Sequence, residues 1–222
     1  IGGESTRPGA DPVSSEEEIE RVAPVIESIA SSLDVIISVD TSKAKVIEAA
    51  VSAGARMIND VRALCEPGAL DVAAGLDVPV CLMHMQGTPQ NMQLAPQYKS
   101  VTKEVTDFLL HRIDSCKKAG ISEDRLIIDP GFGFGKSLDH NLELLRNLGA
   151  FSSLGYPVLV GLSRKSMISA ILCLEKEERL EGSLVLSAMA LDRGANLLRV
   201  HDVPETSDLI SIWTAVTGCR FD

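Results

Sequence analysis

Short apolar runs and longer stretches with hydrophobic residues three and four apart take turns along the chain. Residues 35–39, 56–58, 78–83, 126–128, 158–161 and 196–200 are almost continuously apolar instead of alternating. That pattern suits parallel strands covered on both faces. Between them the spacing predicts helices over 16–31, 44–53, 68–75, 97–118, 138–148, 166–174, 183–193 and 205–216. In the fourth of these, Val101, Val105, Phe108, Leu109, Ile113 and Cys116 form one apolar face, and Gly120 supplies the stop. Strand and helix alternate, so the fold class is α/β. Each apolar run also ends in polar residues: Asp40, Asn59, His84, Asp129, Ser163-Arg164-Lys165, and Arg199 with His201. Parallel strands point their carboxyl ends the same way, so these tips converge on one face. This favours a (β/α)8 TIM barrel over an open doubly wound sheet, whose site would sit in one crevice.

Only six strands are visible, and the residues from Ile1 to Gly3 read as the end of another. A full barrel has eight, so the chain is expected to be an N-terminally truncated barrel. Roughly 50 residues would precede Ile1, judging from about 30 residues per βαβ unit. No linker or repeat divides residues 1–222, which read as a single domain. The polar loop 86–96, with two prolines, is read as a mobile flap.

Composition narrows the partners. A net charge of −10 argues against nucleic acid or an anionic membrane as the main partner, while leaving room for a local anion site. No apolar run reaches the roughly 18 residues of a membrane span. The five cysteines (Cys65, Cys81, Cys116, Cys173, Cys219) form no Cys-x-x-Cys pair. Most lie in apolar runs and read as core residues of a protein in a reducing compartment, the cytoplasm.

Several tips carry chemistry beyond their structural alternatives. Asp40, with Thr41 and Ser42, could simply cap a helix. Asp129 is followed by Pro130-Gly131-Phe132-Gly133-Phe134-Gly135-Lys136, a turn that lets backbone and ring approach a ligand. Arg164 and Lys165 stand at a helix start, where the dipole disfavours cations, and such conflict marks function. Arg199 and His201 precede a helix expected to open with an Asp202/Glu205 capping box. With its free amides they would grip a phosphate or diphosphate. Thr6 and Arg7, in the turn before Pro8, offer donors to an anion or carboxylate; a plain surface turn is the equal alternative. His84 is read as structural. No spacing fits zinc, and no nucleophile elbow occurs.

Seven segments together closely resemble the bacterial dihydropteroate synthase family. They are residues 2–10 (GGESTRPGA), 38–43 (SVDTSK), 58–61 (INDV), 83–87 (MHMQG), 128–136 (IDPGFGFGK), 161–166 (GLSRKS) and 199–203 (RVHDV). The resemblance implies a barrel that joins 6-hydroxymethyl-7,8-dihydropterin diphosphate to 4-aminobenzoate, giving 7,8-dihydropteroate and diphosphate in folate synthesis. It assigns Asp40, Asn59, Met83, Asp129 and Lys165 to the pterin, and Thr6, Arg7, Pro8, Phe134 and Ser163 to the aminobenzoate side, where sulfonamides compete. Arg199, His201 and Thr6 fall to the diphosphate, and Lys165, Arg199 and His201 to catalysis. It further implies Mg²⁺, a homodimer, and no metal ligand within this chain, because the family's asparagine ligand lies on the loop after its first strand. On that ground the chain alone is expected to turn over barely or not at all. The competing readings are a methyltetrahydrofolate–corrinoid methyltransferase and a non-catalytic pterin-binding fragment.

Overall fold

The computed structural model describes residues 1–218; Cys219 lies outside them. The elements follow in the order α1 (Ser15–Ser32), β1 (Ser38–Asp40), α2 (Ala44–Ser52), β2 (Met57–Asp60), α3 (Ala69–Gly75) and β3 (Val80–Met83). Next come α4 (Val101–Lys118), β4 (Leu126–Asp129), α5 (Leu138–Arg146), α6 (Leu148–Ser152) and β5 (Leu159–Val160). The series ends with α7 (Ser166–Leu172), α8 (Leu180–Leu191), β6 (Leu197–Leu198) and α9 (Val203–Thr217). Strands β1 to β4 pair in sequence order and in parallel, β5 pairs with β6 in parallel, and one bridge between Ile128 and Val158 joins the two groups. Ile1 continues the arc beyond β1: its carbonyl accepts from Asp40 N at 2.7 Å and its amino group donates to Ser38 O at 2.6 Å, the pattern of a parallel bridge. Among the described residues β6 and β1 are not paired, and the strands form an arc.

Two layers of apolar packing follow from the two-residue period of a strand. Outward-facing Ile58, Leu82, Leu126 and Ile128 pack under the helices with Ile26, Ile47, Leu109, Leu144 and Phe151, all essentially without exposure. Inward-facing Met57, Cys81, Ile127 and Leu159 make a smaller cluster inside the arc, with Leu197 against it. The next inward position on each strand is the polar or apolar tip. Asp40, Asn59, Met83, Asp129, Gly161 and Arg199 are therefore one ring, set by pleat alone.

Several boundaries differ from the sequence reading. Residues 35–37 lie outside β1, and Val35 and Ile36 are half or more exposed because nothing packs on them. The 97–118 stretch becomes helical only at Val101, because the Glu104 carboxylate takes the amides of Lys99 and Ser100 as a cap at 2.7 and 3.0 Å. The 138–148 helix breaks at Asn147 into α5 and α6; Ser137 and His140 cap α5 reciprocally. The Asp202/Glu205 capping box does not form. Asp202 makes no side-chain cap, since Arg164 holds its carboxylate from Nε and Nη2 at 2.9 and 2.5 Å. A bidentate ion pair outcompetes a single cap bond. Cys81 and Cys116 are core, as expected, but Cys65 and Cys173 are exposed. No helix among the described residues is long and apolar enough to cross a membrane.

Candidate active site

The ring of strand tips lines one cleft at the carboxyl ends of the strands. Its walls are Thr6, Asp40, Asn59, Val61, Met83, Asp129, Phe132, Phe134, Gly161, Lys165 and Arg199. Eight of the residues singled out in the sequence thus meet here: Thr6, Asp40, Asn59, Met83, Asp129, Phe134, Lys165 and Arg199. Arg7 and Pro8 lie on the exposed turn beside Thr6 and do not line the cleft; Ser163 and His201 do not either. Instead Ser163 Oγ sits 2.9 Å from His201 Nδ1 and accepts the His201 amide at 3.2 Å, tying the β5 and β6 exits together.

Asp129 is the most buried acid of the cleft. Its Oδ1 accepts the Gly131 amide at 2.7 Å. Burial pushes its pKa up to about 6, against the Gly131 bond and the charges of Lys165, Lys136 and Arg199. Lys165 lies opposite in sign. Its Nζ stands 4.4 Å from the Phe134 ring centroid, and burial lowers its pKa to about 8, with Asp129 and Asp40 opposing. Asn59 Oδ1 is buried without a hydrogen-bond partner. An orphaned acceptor of this kind costs about 1–3 kcal/mol until something donates to it. Asp40 is not a helix cap: its Oδ2 receives Arg199 Nη2 at 3.0 Å across the unpaired strands. Arg199 is 63% exposed, so this pair is screened and contributes little, on the order of 0–1 kcal/mol.

Two loops supply Thr6, Phe132 and Phe134 to the cleft, and a third, 86–96, ties them together. Residues 86–96, read as a mobile flap, bond to both neighbours. Gly9 N donates to Pro89 O at 3.1 Å and Gln90 Nε2 to Ala10 O at 3.0 Å, while Gln93 Nε2 reaches Gly133 O at 2.5 Å. Tyr98 adds its hydroxyl to Gly135 O at 2.9 Å. At the base of the first loop, Lys43 bonds the carboxylates of both Glu4 and the buried Glu18.

The sequence reading did not single out Val61, Phe132 or Gly161 as cleft walls. Continuing the two-residue alternation one step past β5 would have reached Gly161, because Leu159 is inward. The described residues contain no cluster of three or more His, Cys, Asp or Glu that could hold a metal, and the acid beside Arg199, Asp40, is already paired; Mg²⁺, commonly held by one or two carboxylates together with substrate phosphates, would be carried here with the diphosphate.

A parallel α/β arc with acids, an unpartnered amide oxygen and two cations gathered at its carboxyl end is an enzyme-type site for a polar ligand. The model of the family described as pterin binding enzymes matches residues 1–201. A dihydropteroate synthase of Haemophilus influenzae is 53% identical over 218 residues, covering 98% of this chain and 79% of that protein. Among solved structures, Yersinia pestis dihydropteroate synthase with a sulfonamide drug complex superposes with a TM-score of 0.95 at 49% identity, covering 98% of this chain and 79% of that one. The Xanthomonas albilineans enzyme in complex with 7,8-dihydropteroate gives 0.88 at 49% identity, covering 95% and 80%. The chain belongs to the pterin-binding enzymes and, within them, to the dihydropteroate synthases.

These relatives carry the TIM-barrel fold, so the arc of six strands is the larger part of such a barrel. Their agreement sets aside the corrinoid methyltransferase reading.

Proposed function

We propose that this chain binds 6-hydroxymethyl-7,8-dihydropterin diphosphate and 4-aminobenzoate and joins them into 7,8-dihydropteroate with release of diphosphate. The observation that carries the proposal is the buried Asp129 and Asn59 and the half-buried Lys165 in one cleft with Arg199 at its edge. A carboxylate such as Asp129 accepts two parallel N–H bonds from a 2-aminopyrimidinone edge. Asn59 offers Oδ1, now without a partner, to a further N–H of the ring. Lys165, fixed over Phe134, donates to the ring's remaining acceptors, and Met83, Phe132 and Val61 give the bicycle apolar faces.

The tail then points to Arg199 and His201. Breaking the methylene C–O bond sends its electron pair to the diphosphate, where Arg199 and the His201 ring stabilise the growing charge. The pterin keeps the positive charge, delocalised over its ring. The arylamine nitrogen attacks the methylene carbon from the side of Thr6 and Phe134, and loses a proton. The bonded loops 1–13, 86–98 and 131–135 exclude water that would otherwise capture the cation. Arg7, Pro8 and Ser163 support this from outside the cleft: the first two shape the Thr6 turn, and Ser163 orients His201. The exposed Val185, Ile212 and Val216 of α8 and α9 support the homodimer that the family resemblance implies.

The direct test incubates the chain with pterin diphosphate, labelled 4-aminobenzoate and magnesium. Labelled 7,8-dihydropteroate, its formation inhibited competitively by a sulfonamide, is the expected result, against the sequence-based expectation of little or no turnover, because the pterin and diphosphate groups meet in one cleft; pterin binding with no product would restore that expectation and favour a non-catalytic pterin-binding protein.

The site also sets a pH signature. Pterin binding needs Asp129 ionised and Lys165 protonated. As pH falls through about 6 Asp129 gains a proton and loses an acceptor, and as pH rises through about 8 Lys165 loses its charge. Pterin affinity should therefore follow a bell with a plateau near neutrality. The Lys165→Met variant, weaker throughout, should lose the alkaline limb and keep the acidic one, and calorimetric titration across both limbs reads the two.

A further inference from the structure

Lys136 is 3% exposed, yet its ammonium bonds no carboxylate. Nζ donates to the carbonyls of Gly131 at 2.8 Å and Phe134 at 3.0 Å, lies 3.0 Å from His84 Nδ1, and is 3.4 Å from His84 O. Burial lowers its pKa to about 7, with Asp129 opposing; an amine placed where its charged form is this costly does more than tie a turn. The His84 ring is one of its partners. Burial first, and the Lys136 charge second, hold the imidazole neutral with its pKa lowered to about 3, so Nδ1 accepts and the lysine carries the proton of the pair.

What the cation holds is the pterin side of the cleft. Gly131 is pinned at both ends: its N–H donates to Asp129 Oδ1 and its C=O accepts from Lys136. With φ at +71° and a notional Cβ only 1.8 Å from His84 O, the turn is seated directly on the exit of β3. The second carbonyl belongs to Phe134, whose ring faces Lys165. The nearest buried negative charge the lysine senses is Asp129 itself. We infer that Lys136 is a positioning residue for the pterin pocket, fixing the Asp129 carboxylate, from beneath the 131–135 turn, at the place from which it meets the bicycle. This rests on the functional reading above.

The test titrates the whole chain, wild type and Lys136→Met, with 6-hydroxymethyl-7,8-dihydropterin diphosphate by calorimetry, beside thermal unfolding and steady-state kinetics. The methionine variant should raise the pterin Kd, and the KM for pterin diphosphate with it, by about tenfold or more. The KM for 4-aminobenzoate at saturating pterin should stay within about threefold. Lys136→Gln, which keeps N–H donors for the two carbonyls, should recover part of the loss and decides the question where the methionine variant does not fold. A variant that binds pterin as the wild type does, whatever its melting temperature, overturns the inference; so does an equal rise in KM for both substrates. Wild-type chain that binds no pterin sinks the functional reading and this inference with it, a result distinct from either variant's.

Discussion

Replacing Asp129 by alanine is expected to abolish detectable pterin binding while leaving the chain folded. The carboxylate is the group in the cleft placed to accept two parallel charge-assisted bonds from a 2-amino heterocycle edge. Two such bonds, at about 1.5–3 kcal/mol each, correspond to roughly a thousandfold in Kd. Asp129→Asn separates charge from shape. It keeps an oxygen for the Gly131 amide but turns an NH2 toward the ring's own donors, so affinity should fall nearly as far. Circular dichroism and calorimetry on the two variants check this. Asparagine binding within a few fold of wild type would mean that the heterocycle does not sit on Asp129.

The second large effect lies at the other end of the ligand. Arg199→Ala should weaken pterin diphosphate by about thirtyfold, from the loss of charge-assisted bonds worth about 2 kcal/mol, and should change a diphosphate-free pterin by no more than about threefold. Arg199 now holds Asp40 at 3.0 Å. Because the arginine is mostly exposed, that pair is weak enough to be exchanged: the diphosphate takes the guanidinium, and Asp40 is released to face the pterin. Paired titrations with the two ligands decide the matter. Equal losses for both would place the diphosphate elsewhere and leave Arg199 as a mere strut between unpaired strands.

Much of this site was legible in the amino-acid order because a parallel strand buried on both faces stays largely apolar until its carboxyl end reaches the mouth of the arc, so Asp40, Asn59 and Asp129 fall at or next to the last residue of their strands. That is why Asp40, Asn59, Asp129 and Arg199 stood out at the ends of apolar runs and came together in space. The pleat does the rest, since residues two apart share a face, and Met57 and Asn59, or Ile127 and Asp129, face inward together. What stayed hidden depended on partners far away in sequence. The capping box expected of Asp202 and Glu205 was a sound local inference, overridden by Arg164, 38 residues earlier. Lys136 looked like the end of a glycine-rich turn, and only the fold brings His84 beneath it. Ser163, assigned to the aminobenzoate by family resemblance, is found bonded to His201, which no spacing could reveal. Nor could local pattern place Val35 and Ile36, whose β-branched character reads as strand although nothing covers them.

The Lys43 contacts with Glu4 and Glu18 have the same long-range origin on the aminobenzoate side. Glu18 is 1% exposed and one of its oxygens has no partner. Its other oxygen, held by Lys43, anchors the base of the Thr6 turn to α1. Gly3 permits this approach, because a side chain there would stand 2.8 Å from Glu18 Cγ. The turn that carries Thr6 is therefore a braced arm.

The most direct measurement is a crystal structure of this chain with 6-hydroxymethylpterin diphosphate bound. The account predicts the 2-amino edge on Asp129, a ring N–H on Asn59 Oδ1, the bicycle between Met83 and Lys165, and the diphosphate on Arg199 and His201. A ring lying outside this cleft, or a tail directed away from Arg199, would contradict it.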